Sequence, residues 1–490
     1  MVGLWRDRAK KRRTSRYDIH VSGRAQPDRL RNIFAVDLGS RLARAVNAVA
    51  WAVPDAIAVG RPLVDVAMPF TGWLAAAAVA VIVGAGRADL HARNRGIAMT
   101  IFNPTRVAAQ AALDRFLPRA GRQYAEQRSF DFGPDRRDNI SVLSPYIRHR
   151  IISEQEVVAA VLREHSPANA EKFVQEVFWR TYWKGWLQQR PAVWHNYLAE
   201  LEYFKTQTID GVATACDGET GIECFDYWVH ELQSTGYLHN HARMWFASIW
   251  IFTLRLPWQL GADFFLRHLA DGDPASNTLS WRWVAGLQTI GKHYVASADN
   301  IERYTDGRFA KPRLAHHAEP LPALAHPDPV AIVPIRQPQP GRYALLLTEE
   351  DMYPLHVLPA GVEIAGVASI GSRQPCALNI AEFKRAALQN ACNEISVNFG
   401  VAAKSIETWN AQDFADWAKE CGVTDILTAE APVGFVAPCL KQLALNLVNH
   451  GVHLHLFRRR WDELCWPHAR KGFFGFKEKI PSIISDLKLL

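Results

Sequence analysis

The sequence predicts a multidomain chain, with an all-α domain followed by an α/β domain built on a Rossmann-like parallel sheet. Three observations carry this. From about residue 104 to 310, apolar residues recur at three- and four-residue spacing, with no run of alternating strand residues. A proline-rich segment follows. Beyond it the pattern switches to short apolar runs alternating with helical stretches, the signature of a parallel sheet covered on both faces. With 490 residues, of which 49% are hydrophobic, the chain has material for more than one sizeable core.

Residues 1–98 read differently from the rest. They hold 16 Lys and Arg against 7 Asp and Glu. The formal charge of +7 therefore arises there, and the remaining chain is slightly acidic. Net charge thus gives no footprint for nucleic acid on the main body, where only a local basic patch would serve. The basic run from Trp5 to Arg16 is expected to be solvated. Val66 to Ala85 is an uncharged, Ala- and Val-rich stretch, long enough to span a bilayer but marginal in hydrophobicity. Met99 opens MTIFNPTR just before the first helical pattern. The expectation is that Met99 is the native start and that residues 1–98 are a poorly structured or artefactual extension with one apolar helix. The alternative is a membrane anchor at 66–85.

The all-α domain is placed at 99–310. Val157, Val158, Val161 and Leu162 mark one helix, opened by the capping-box pair Ser153 and Glu156. Phe173 to Leu187 marks another. Eight prolines between Pro312 and Pro340 make 311–342 a semi-rigid linker. In the α/β domain, 343–490, strands are expected at Tyr343–Leu347, Val362–Val367, Asp425–Thr428 and His453–Phe457. Helices are expected near 380–394, 411–421 and 434–449. No GxGxxG or P-loop accompanies them. The seven cysteines form no CxxC pair and no repeated spacing, which excludes zinc ribbons and iron–sulfur loops and fits a reduced, cytoplasmic protein without a metal.

The 17 tryptophans acquire meaning from five separated stretches. Gly121-Arg-Gln-Tyr124 precedes Asn139-Ile-Ser-Val-Leu-Ser-Pro-Tyr146, a turn with hydroxyls and backbone N–H groups at a helix start, suited to an anion. Phe173-Val-Gln-Glu-Val-Phe-Trp-Arg-Thr-Tyr-Trp183 would set Phe173, Glu176 and Arg180 on one helix face, with Trp179 beside them. The others are Thr235-Gly-Tyr-Leu-His-Asn-His-Ala-Arg-Met244, then Leu269-Ala-Asp-Gly-Asp-Pro-Ala-Ser-Asn277 followed by Ser280-Trp-Arg-Trp283, and finally the pair Trp258 and Trp281. Taken singly, each has a bland reading as a helix-start turn, an amphipathic core helix, a turn or core packing.

Together and in this order, the stretches resemble the FAD-binding catalytic domain of the cryptochrome/photolyase family. The resemblance implies that Tyr124, Ser141, Val142, Leu143 and Ser144 wrap the FAD phosphates. It implies that Phe173, Arg180, Arg243, Asp271, Gly272, Asp273 and Asn277 complete the flavin site, with Asp271 paired to Arg243 and Asn277 near flavin N5. Glu176, Trp179, Met244 and Trp283 match the residues around a pyrimidine dimer, and Asn240 matches a flavin-facing position of the same catalytic set. Trp281 and Trp258 match the proximal and middle members of an electron-transfer chain, and no tryptophan stands near Phe204–Lys205 for the distal one. Ile140 departs from a usual Thr, Tyr237 from a tryptophan, and His241 from an arginine close to DNA.

The implied function is light-driven repair of ultraviolet-damaged DNA by an FAD-dependent lyase acting on cyclobutane pyrimidine dimers. The alternative is a blue-light photoreceptor signalling to a protein partner. Asn240 and Met244 match cyclobutane-dimer enzymes rather than six-four enzymes, and Asn277 matches photolyases. The tail, from His453-Leu-His-Leu-Phe457 to Lys471-Gly-Phe-Phe-Gly-Phe-Lys477, resembles the end of the family's antenna domain. That domain is therefore expected at the C-terminus, with or without a folate or deazaflavin chromophore. A monomer is expected, without membrane contact unless 66–85 is a true span.

Overall fold

The computed structural model describes residues 102–490, which lie in a compact unit spanning Ala98–Leu490. The basic start, the apolar stretch at 66–85 and Met99 lie outside the described residues. Among the described residues no helix is long and apolar enough to cross a membrane, and no cluster of side chains is arranged to hold a metal ion. All seven cysteines are free thiols.

From Arg106 to Tyr304 the chain is helical. The helices are α1 (Arg106–Phe116), α2 (Arg122–Gln127), α3 (Ser144–Arg148), α4 (Glu154–Glu164), α5 (Pro167–Gln188) and α6 (Pro191–Lys205). Then come α7 (Val212–Asp217), α8 (Glu223–Thr235), α9 (Asn240–Ser248), α10 (Trp258–His268), α11 (Pro274–Val284) and α12 (Ala298–Tyr304). Local chemistry sets the boundaries. Ser153 caps α4, its hydroxyl accepting from the Glu156 N–H while the Glu156 carboxylate accepts from the Ser153 N–H. Ser166 caps α5, Pro167 occupies its first turn, and Gly236 closes α8 in the left-handed conformation. Helix α9 runs into one π-helical segment, Ile249–Thr253, in which Ile249 to Phe252 are all buried.

The proline-rich segment is extended and tied to the helices. The Leu321 N–H donates to the Ala285 carbonyl, the Val330 N–H to that of Gln189, and Arg190 to that of Pro327. The sheet follows as β1 (Gly341–Thr348), β2 (Val362–Ile370), β3 (Ala403–Ser405), β4 (Asp425–Ala429) and β5 (His453–Phe457), all parallel in the order β3-β2-β1-β4-β5. The interleaved helices are α13 (Leu378–Phe399), α14 (Ala411–Glu420) and α15 (Val436–Leu447), then α16 (Arg460–Cys465), α17 (Phe473–Lys477) and α18 (Ile480–Asp486). Alternate strand residues Ala344, Leu346, Ala368, Ile370 and Ile426 pack on Phe414, Trp417, Leu440 and Leu443 of α14 and α15. The expected strands appear, three of them with somewhat longer bounds; of the expected helices α13 is longer and α14 and α15 are slightly shorter, and β3 is additional.

Helix α5 packs the C-terminal segment against the helical part. A Cβ on its Gly185 would lie 2.8 Å from the Trp466 Cα, so a close backbone approach requires glycine there. Phe178 stacks on Trp461 at 4.6 Å, the Trp461 indole N–H donates to the Thr181 hydroxyl at 2.9 Å, and the Tyr182 hydroxyl donates to the Lys471 carbonyl. The opposite face of α5 therefore looks into the helical domain, where the candidate residues collect.

Candidate functional site

Asp271, Gly272 and Asp273 lie between α10 and α11. Asp273 caps α11, accepting from the Ser276 N–H at 2.7 Å, and this fixes the loop against a helix start. Both carboxylates are buried and ringed by cations. Arg243 Nη2 donates to Asp271 Oδ2 at 3.0 Å, and Arg180 Nη2 is 4.0 Å from the same oxygen. Asp273 Oδ2 lies 3.5 Å from Arg148 Nε, 3.8 Å from Lys184 Nζ and 3.9 Å from Arg180 Nη1. Burial alone would raise the Asp273 carboxyl, but Lys184, Arg148, Arg180 and the Ser276 N–H together hold it well below the usual carboxylate range. Asp271 is held down the same way against burial, by Arg243 and Arg180. Both are anions at neutral pH. Asn277, on the first turns of α11, donates its amide to the Ala262 carbonyl at 2.9 Å.

One cation in this ring has bonding capacity to spare. Among the described residues, Arg180 Nη1 has no hydrogen-bond partner although it is buried, and neither does Asp271 Oδ1 or the Trp281 indole N–H. Such atoms occur elsewhere in the fold too, but Arg180 and Asp271 face each other at 4.0 Å on the acidic loop, where a polar ligand would complete the set. The Ser141–Ser144 turn gives a second mark. Val142 sits at φ 52°, a conformation a β-branched residue rarely adopts, and the Leu143 N–H turns back to the Ser141 hydroxyl. Ser141, Val142 and Ser144 stay partly exposed while Leu143 is buried. Such a turn clusters N–H groups in an anion-accepting concavity. An orphaned guanidinium, two carboxylates for ring N–H groups and this turn fit the diphosphate and isoalloxazine of FAD.

The remaining residues group as follows. Tyr124 and Phe173 meet at 5.1 Å, with Phe116 completing the trio. Glu176 is held by Arg128 on the chain following α2, a partner four residues beyond Tyr124 that sequence reasoning missed although its spacing puts both on one helical face. Trp179 is buried, its ring stacked at 3.6 Å on Phe473 of α17. Asn240 is exposed at the start of α9, while Met244 and Trp283 are half-buried, Trp283 lying 5.8 Å from Tyr294. His241 turns inward, 2.9 Å from the Ser129 carbonyl and stacked on Trp245 at 4.2 Å. Burial pushes its pKa down, so it presents no cation outward. Trp281 packs among Phe265, Phe246 and Trp250. Trp258 stacks on Tyr197 at 5.4 Å, and Tyr197 meets Trp194 at 5.3 Å, both on α6.

A helical domain with this acidic loop and its arginines is suited to a flavin, and comparison with known proteins points to the same class. Residues 173–355 match the family described as the FAD binding domain of DNA photolyase. Over 153 residues the chain is 36% identical to a deoxyribodipyrimidine photo-lyase of Streptomyces griseus, covering 31% of this chain and 33% of that protein. Over 240 residues it is 31% identical to a deoxyribodipyrimidine photo-lyase of Thermus thermophilus, covering 46% and 53%. Among solved structures, a bacterial class III photolyase from Agrobacterium tumefaciens matches at 26% identity and a TM-score of 0.34, covering 42% of this chain and 44% of that one. The chain thus spans between a third and about half the length of the curated relatives cited. Residues 173–355 thus carry the FAD-binding domain of the photolyase family.

Proposed function

We propose that this protein is a light-driven lyase that repairs cyclobutane pyrimidine dimers in ultraviolet-damaged DNA. The observation that carries the reading is the buried Asp271–Gly272–Asp273 loop, with Arg243 closed on it and Arg180 left with an open donor. Arg180, Arg243, Asp271, Asp273 and Asn277 would hold the isoalloxazine, and Tyr124 with the Ser141–Ser144 turn would hold the phosphates. Bound, reduced FAD would supply the photoexcited electron that opens the cyclobutane ring. The chain's own part is to bind, orient and exclude water. Glu176 would hydrogen-bond the dimer, while Met244, Trp179 and Trp283 would frame its two joined bases, lifted from the stack, and Asn240 would tune the flavin beside them. Trp281 and Trp258 would relay electrons towards the flavin, with Tyr197 and Trp194 as their onward neighbours. The C-terminal sheet is the proposed counterpart of the family's antenna domain, placed after the catalytic domain instead of before it.

The test uses the full chain loaded with FAD, chemically reduced, and mixed with an oligonucleotide carrying one thymine dimer under blue light. Restoration of thymine, followed by absorbance and chromatography and abolished by Glu176→Ala, supports the lyase. Flavin photoreduction without repair of single- or double-stranded substrate refutes it. Two observations favour the second reading, a photoreceptor. The Trp179 face is covered by the chain's own Phe473, and His241 is neutral and inward where a phosphate contact would need a cation.

A further inference from the structure

The strand order places the topological switch point between β1 and β4, and in an open parallel sheet the crevice beyond the carboxyl ends of those strands is the usual ligand position. Here the chain's own side chains fill it. Three acidic residues follow β1: Glu349, Glu350 and Asp351, all buried. Three basic residues from the end of α3 face them: Arg148, His149 and Arg150, also buried. Arg148 is bidentate on Glu350, with Nη1–Oε2 at 2.6 Å and Nη2–Oε1 at 2.8 Å. Arg150 Nη2 donates to both Asp462 oxygens, at 2.7 and 2.8 Å, and the same guanidinium reaches Glu154 at 3.2 Å and Asp351 at 3.5 Å. Arg459 closes the set with two bonds to Asp351.

This cluster does not stop at the sheet. Arg148 Nε donates to the Gly272 carbonyl at 3.0 Å and lies 3.5 Å from Asp273. His149 sets Nε2 3.1 Å from the Ala270 carbonyl oxygen and Nδ1 2.8 Å from that of Glu349. The carbonyl after Asp271 is therefore held by Arg148. The carbonyl before it lies against the ring of the next residue, His149, whose one N–H in the neutral form serves either that carbonyl or that of Glu349. Both residues are tied to the segment after β1. The His149 carbonyl also accepts from the Met352 N–H at 3.0 Å. A guanidinium fixed at three nitrogens has little freedom left, so its position transmits to the loop it bonds.

We propose that Arg148 and His149 are positioning residues for the Asp271–Asp273 loop, with Glu350 as the anchor that makes the C-terminal sheet a working part of the candidate flavin site. This rests on the reading that FAD binds at that loop. Buried ion pairs serve stability weakly, since desolvation offsets most of their attraction, and fixing one geometry is a better-attested use. A sheet serving only as a detachable module has no need to send a bidentate carboxylate to the arginine that bonds the loop carrying Asp271 and Asp273.

The experiment compares wild type, Glu350→Gln and Asp351→Asn in the full chain. Asp351 belongs to the same buried cluster and is bonded by Arg459, but it does not touch Arg148. FAD affinity is read by fluorescence quenching, the flavin midpoint potential by spectroelectrochemistry, stability by urea denaturation, and amide exchange at residues 270–277 in the flavin-free protein. Glu350→Gln is expected to weaken FAD binding about tenfold, shift the potential and speed exchange at 270–277, because a charge-assisted pair becomes a neutral one. Asp351→Asn is expected to lower stability and leave those three readouts in place. Unchanged affinity and exchange in Glu350→Gln would overturn the proposal. So would equal effects of the two variants in proportion to lost stability, which would mean a purely structural cluster. If wild type itself fails to bind FAD, the proposed function falls, and the exchange comparison alone decides whether Glu350 sets the loop.

Discussion

Gly261 on α10 offers a test in which two ordinary effects oppose each other. Replacing a glycine inside a helix with alanine is usually favourable by about 1 kcal/mol, through reduced backbone freedom in the unfolded chain. At Gly261 an added Cβ would lie 2.4 Å from Trp281 Cη2, 2.6 Å from Trp281 Cζ3 and 2.9 Å from Trp250 Cε2. Carbon atoms rest about 3.5–4.0 Å apart, so an indole must move by about 1 Å. Neither can do so freely. Trp250 is fully buried and bonds its indole N–H to the Pro257 carbonyl at 2.9 Å, and Trp281 is wedged against Phe265 at 5.1 Å. Overpacking of this kind costs about 1–3 kcal/mol, with an indole between two aromatic neighbours towards the upper end. Gly261→Ala should therefore be destabilised by about 1–2 kcal/mol net of the helix gain. The assay is urea denaturation followed by circular dichroism, with near-ultraviolet dichroism reporting any shift of Trp281. Gly475→Ala in α17 is the reference, since nothing lies within 4 Å of a Cβ there. It should be neutral or slightly stabilised. A Gly261→Ala protein as stable as wild type, with an unchanged near-ultraviolet spectrum, would refute the packing argument and with it the rigid placement of Trp281.

Three further outcomes follow from particular contacts. Glu231 on α8 is raised from 4.5 to about 7, by burial first and then by Asp131, against the pull of Arg137. A raised carboxyl binds its proton in the fold before the unfolded chain does, so its contribution is present below about pH 4.5 and is lost as pH climbs through 7. Relative to wild type, Glu231→Gln should gain about 2–3 kcal/mol between pH 5 and pH 8, read from the urea midpoints and slopes. Taking the difference cancels His239, whose depressed pKa of about 4 has the opposite slope over much of that window. Phe473→Ala should cost about 3–5 kcal/mol and red-shift tryptophan emission, because it uncovers the Trp179 ring stacked at 3.6 Å. Ser153→Ala removes half of the capping box on α4 and should cost about 1 kcal/mol by thermal or urea unfolding.

What the sequence disclosed and what it hid divide along a physical line. Signals that act within a few residues were readable. The Ser153 and Glu156 pair sits where the spacing placed it, and the apolar runs at Tyr343–Leu347 and His453–Phe457 are strands of one sheet. The strand β3 left no trace because Ala403, Lys404 and Ser405 have neither length nor apolar alternation, and only pairing with β2 makes them a strand. Arg128 was missed for the same reason, since nothing local says that its partner is Glu176, 48 residues on. The charged triplets at 148–150 and 349–351 are the sharpest case. Six ionisable residues at a helix end and a strand end read as solvated loop by every local rule, yet each is buried. Burying one triplet alone would leave several uncompensated charges, which is prohibitive, so each is tolerable only because the other arrives from about 200 residues away. Composition cannot announce a charge that is stable only in company. The Asp271–Asp273 loop was therefore legible as a motif, while Arg148 and His149, which lie against its two flanking carbonyls, were not.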